Sequence, residues 1–66
     1  MTPDDVEQRL RKIGEASGDD ELAHGMEDEL HQDVLRAIAD GTIVDGATCA
    51  RLALKSLDMK FKRWCV

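Results

Sequence analysis

The chain has 66 residues, 42% apolar and 35% charged, with one proline, five glycines and two cysteines. That balance excludes a disordered tail, a fibre and a disulfide scaffold, and leaves one small folded domain over residues 1–66. A net charge of −5 argues against nonspecific nucleic-acid binding, and no uninterrupted apolar run exceeds three residues, so no segment spans a bilayer.

Thr2-Pro3-Asp4-Asp5 reads as a helix start, with Thr2 as cap, Pro3 at the first helical position and Asp5 placed for a capping box. Val6, Leu10 and Ile13 follow at spacings of four and three. Acids lead and Arg9, Arg11 and Lys12 trail, which complements the helix dipole. The first helix is expected over about 3–16, closed by Gly14 and Ser17-Gly18.

Ser17 or Asp19 opens a second helix, expected over about 19–40. Its apolar stripe is Ala23, Met26, Leu30, Val34 and Ala37, widened near the ends by Leu22, Leu35 and Ile38. Gly41 is placed as the residue that ends it. Ile43 and Val44 in the following turn are expected to plug the end of the core.

The third helix starts at Asp45 or Gly46 and is expected over about 46–65. Ala47, Ala50, Leu54, Leu57, Phe61 and Trp64 recur at 3-4-3-4-3, an inward-facing seam that no proline interrupts. Ser56 or Asp58 offers a cap for a short final helix if the rod breaks there. The fold expected is all-α, a three-helix bundle in which helices 2 and 3 form an antiparallel hairpin and helix 1 crosses it.

The third helix carries a second apolar row, Leu52, Met59 and Val66, seven residues apart and flanked by Cys49 and Ala53. With the first seam turned to helix 2, this row meets helix 1, a second copy or another protein. Charge divides along the chain as well. Residues 1–50 hold four basic and thirteen acidic side chains, −9, and residues 51–66 hold five basic and one acidic, +4. The partner-binding residues expected are therefore Leu52, Met59 and Val66, with Lys60, Lys62 and Arg63 at the basic end; Phe61 and Trp64 are read as core.

Chemistry has little support. His24, Asp28 and His31 lie at i, i+4 and i+7 with Glu27 at their edge, ligand types suited to a divalent metal, but one helix supplies too few ligands and a full site needs a second copy. Cys49 and Cys65 would stand about 24 Å apart on a continuous helix, too far for a disulfide. No glycine-rich phosphate cradle and no nucleophile–base pattern occurs, so neither a cofactor nor catalysis is expected. A helix-turn-helix outline places Thr48, Arg51 and Lys55 toward DNA, against a long turn and an acidic body. The acidic, non-apolar start lacks a secretory leader, which predicts a cytoplasmic protein with reduced thiols.

The segments Asp20-Glu21-Leu22-Ala23-His24, Glu27-Asp28-Glu29-Leu30-His31 and Asp33 to Gly41, with the ending around Phe61, Arg63, Trp64 and Cys65, resemble small uncharacterised helical proteins encoded by actinobacteria and their phages. The likeness covers about two thirds of the chain and contains no catalytic signature. It implies a bacterial or phage cytoplasmic setting and a binding or regulatory role, and no functional residue is carried over from it. The function expected is an acidic, non-enzymatic accessory protein that binds another protein, with homodimerisation open; the alternatives are helix-turn-helix-like DNA binding and a metal-binding helical dimer.

Overall fold

A computed structural model describes residues 1–63, in the order α1 (Pro3–Glu15), α2 (Asp20–Asp40), α3 (Gly46–Leu54) and a 3-10 turn (Lys55–Asp58). The expected all-α three-helix bundle is what forms, and each helix packs against the other two. Trp64, Cys65 and Val66, and the roles expected of them, lie outside the described residues.

Local chemistry sets the helix starts. Thr2 Oγ1 accepts the Asp5 amide while Asp5 returns a carboxylate oxygen to the Thr2 amide at 2.8 Å, a complete capping box. The backbone and hydroxyl hydrogen bonds from Thr2 hold the Asp5 carboxyl below the usual range. Asp19 caps α2 by accepting from the Leu22 amide, and Asp45 caps α3 by accepting from the Thr48 amide. Asp45 does so at φ 54, a left-handed conformation that aspartate tolerates better than most residues. Gly41 ends α2 at φ 71, with its amide and that of Thr42 returning to the Ile38 and Ala37 carbonyls. Gly41→Ala would force a Cβ into this backbone, and we expect a loss of about 1 kcal/mol in a urea titration.

The core consists of Val6, Ile13, Ala23, Leu30, Val34, Ala37, Cys49, Ala53 and Phe61. Ile43 packs against it as expected, whereas Val44 is exposed and contributes its amide to the Met1 carbonyl at 2.8 Å. Leu22, Leu35 and Ile38 do not widen the buried stripe; each is about half exposed or more.

The third helix departs from expectation in length and in facing. It stops at Leu54 rather than near residue 65, tightens into the 3-10 turn, and is extended at Met59. A straight rod over 46–65 would run about 30 Å, half as long again as the 13-residue α1 beside it, so part of it would have had no contact with α1. By turning, the chain lays Phe61 onto the core as a buried side chain, the position expected for it.

The face turned inward is Cys49, Ala53 and Ser56, with Leu52 and Met59 half-buried against the core. Ala47, Leu54 and Leu57, assigned to the inner seam, are exposed. The physical reason is size. Cys49, Ala53 and Ser56 are small and recur at four and three, so the helix backbone approaches its neighbours closely, which two leucines would prevent. Cys49 Sγ also donates to the Val44 carbonyl at 3.4 Å.

Candidate functional site

The most concentrated polar chemistry is internal. Glu27 is only 2% exposed, although it is a carboxylate in the middle of α2. Its Oε1 accepts from Arg63 Nε at 2.7 Å, across 36 residues of sequence. The same guanidinium donates to the carbonyls of Met59 (3.0 Å), Phe61 (3.2 Å) and Ser56, and lies 4.1 Å from the centre of the Phe61 ring. Arg63 thus supplies the donors that a continuing helix would have offered to those carbonyls, which explains why the chain can leave the helix here.

His31 joins the network from α2. Its Nε2 lies 3.2 Å from the Ala53 carbonyl and 2.9 Å from Ser56 Oγ. Ser56 thus stands between His31 and Glu27, to which its side chain also hydrogen-bonds. Burial alone would raise the Glu27 pKa. The hydrogen bonds from Arg63 and Ser56, and the charges of Arg63 and His31, outweigh it and hold the carboxyl below its ordinary range. Glu27 Oε2 has no hydrogen-bond partner among the described residues.

This arrangement redistributes the residues expected to bind partners. Arg63, half-buried, acts as a clasp within the fold. Leu52 and Met59 belong to the inner face, because α3 is rotated relative to the expected seam. Lys60 and Lys62 remain exposed, with the Lys62 amide donating to Asp20 Oδ1 at 3.2 Å.

The three candidate metal ligands do not converge. His24 pairs with Asp28 at 3.4 Å, while His31 is turned to Ala53 and Ser56. Among the described residues no three His, Cys, Asp or Glu side chains gather as metal ligands do. Of the candidate DNA contacts, Arg51 and Lys55 are exposed, and Arg51 donates to Thr48 Oγ1 at 3.4 Å.

The surface also presents apolar side chains. Leu35 and Ile38 share the flank of α2 that carries His31, and His31 reaches Ala53 and Ser56, so this flank borders α3. Leu54 and Leu57, next in the chain to Ala53 and Ser56, border the same seam. Their exposures are 66% for Leu35, 49% for Ile38, 58% for Leu54 and 54% for Leu57, all high for leucine-sized side chains. Sequence reasoning missed this seam because it assigned these residues to the core. It placed Glu27 only at the edge of the candidate metal ligands, although Ala23, Glu27, Leu30, Val34 and Ala37 are spaced 4-3-4-3 and all five are buried.

Compared with known protein families, curated proteins and solved structures, the chain has no significant match.

Proposed function

We propose that this chain is a small acidic protein-binding module without chemistry of its own, an accessory protein that acts by covering part of a partner's surface. The observation that carries this reading is the exposed row Leu35, Ile38, Leu54 and Leu57 along the α2–α3 seam. Single exposed leucines are ordinary, but four bordering one seam mark a contact surface. The buried Glu27 and the half-buried Arg63 and His31 support the same reading, since they are engaged in holding the fold. The resemblance to small actinobacterial and phage proteins favours a regulatory or host-modulating role in the cytoplasm, and among the described residues no helix is long and apolar enough to cross a membrane.

The test uses Leu54→Asp and Ile38→Asp. Both side chains are exposed, so we expect stability within about 0.5 kcal/mol of the parent in urea titrations. Retention of a partner from host lysate should be lost in both variants. Sedimentation of the free protein over a concentration series then distinguishes a second copy from a different protein. Retention unchanged in both variants would refute the seam as the docking surface. A shift of labelled duplex at low salt that fades as salt rises, and that Arg51→Ala and Lys55→Ala remove, would favour the DNA-binding reading instead.

A further inference from the structure

We propose that the N-terminal half of α2 carries a second docking site, separate from the seam, for a partner segment that presents an apolar side chain flanked by lysines or arginines. An open notch of about 500 Å³ is lined there by Asp19, Glu21, Leu22, Gly25, Met26 and Glu29. Its floor is Leu22, which is 53% exposed, with half-buried Met26 and the bare backbone of Gly25.

Gly25 has no evident role in the fold. It sits mid-helix, where glycine weakens the helix relative to alanine, and a Cβ built on it would meet nothing within 4 Å. No turn and no close backbone approach requires it. Its consequence is the gap itself: any larger residue would stand between Leu22 and Glu29.

The rim decides the occupant. Asp19, Glu21 and Glu29 surround an apolar floor, and ion pairs among the described residues go to Glu27, Asp28 and Asp33 instead. Asp19 spends one oxygen on the Leu22 amide and keeps the other. An apolar side chain that covers Leu22 and Met26 brings its neighbours beside three carboxylates, which favours cationic flanks and disfavours acidic ones. Such a segment is a short basic amphipathic helix or strand of a protein.

The experiment titrates ¹⁵N-labelled full chain with a synthetic helical peptide of leucine and lysine, and with its counterpart in which glutamate replaces every lysine. The lysine peptide should shift the amides of Leu22, Gly25, Met26 and Glu29, and raising salt should weaken it. Gly25→Lys places a good helix former in open space, so the helix is kept; it should weaken the peptide at least tenfold while leaving partner capture through the seam unchanged. The Glu21→Gln, Glu29→Gln double variant should weaken it several-fold and flatten the salt dependence. Equal binding of the glutamate peptide, shifts confined to Leu35 and Leu54, or full affinity in Gly25→Lys would overturn the proposal. Self-association abolished by Gly25→Lys would overturn it too, by giving the notch to a second copy.

Discussion

Glu27→Ala is expected to leave the chain largely unfolded at neutral pH and room temperature. The change strands the Arg63 guanidinium against the core with its anion removed, and breaking a buried pair by deleting one member costs about 3–5 kcal/mol. That range equals the whole stability a core of this size supplies, about 3–5 kcal/mol. Glu27→Gln keeps the shape and an acceptor for Arg63 Nε, so it should remain folded with a lower urea midpoint. Far-ultraviolet circular dichroism against urea separates the two, and a fully folded Glu27→Ala chain would show that the clasp is dispensable.

The same carboxylate gives the parent an acid limb whose sign can be worked out. Its folded pKa is lowered, so it contributes stability that is fully present above the pKa of an unfolded glutamate, about 4.3, and is lost as pH falls through the lower folded value. Urea midpoints of the parent should therefore drop on going below about pH 4, and those of Glu27→Gln should drop less. Asp5, lowered by its hydrogen bonds with Thr2, acts with the same sign and keeps a residual slope in the variant.

Phe61→Ala should have a comparable effect, about 3–5 kcal/mol, through a different mechanism. Phe61 is the only phenylalanine in the chain and is buried to 8% exposure under the Arg63 guanidinium. Removing the ring opens a cavity in a core whose largest fully buried side chains are Ile13, Leu30 and Val6. Phe61→Leu should recover most of the loss, since burial rather than the cation contact supplies most of the stabilisation. Thermal midpoints of the pair decide it; equal midpoints would mean the ring's electrostatics dominate.

The parts of this fold that were legible in the sequence are those whose physics is local. The capping box at Thr2 and Asp5, the Asp19 cap and the left-handed Gly41 each depend on residues within four positions, and each forms as expected. The stripe Leu30, Val34 and Ala37 was legible because burial on a long helix repeats with its turn. The end of α3 was not, because the carbonyls of the 3-10 turn and the extended segment after it, those of Ser56 and Met59, are satisfied by Arg63, which lies outside any helix. The facing of α3 failed with it. Counting Phe61 and Trp64 as helical made Leu54 and Leu57 look like a seam, whereas a helix of nine residues is free to turn Cys49 and Ala53 inward. Glu27 was hidden because a charged residue in an apolar register is interpretable only once its distant cation is known.

The clasp also fixes an order of events during synthesis. All three helices lie within residues 1–58, but the cation that pairs with Glu27 and the buried ring of Phe61 come from the five residues that follow. Until Phe61 and Arg63 are in place, the helices lack a core side chain and the cation of a buried carboxylate, so their vulnerability to proteases and to misassociation depends on when that segment docks.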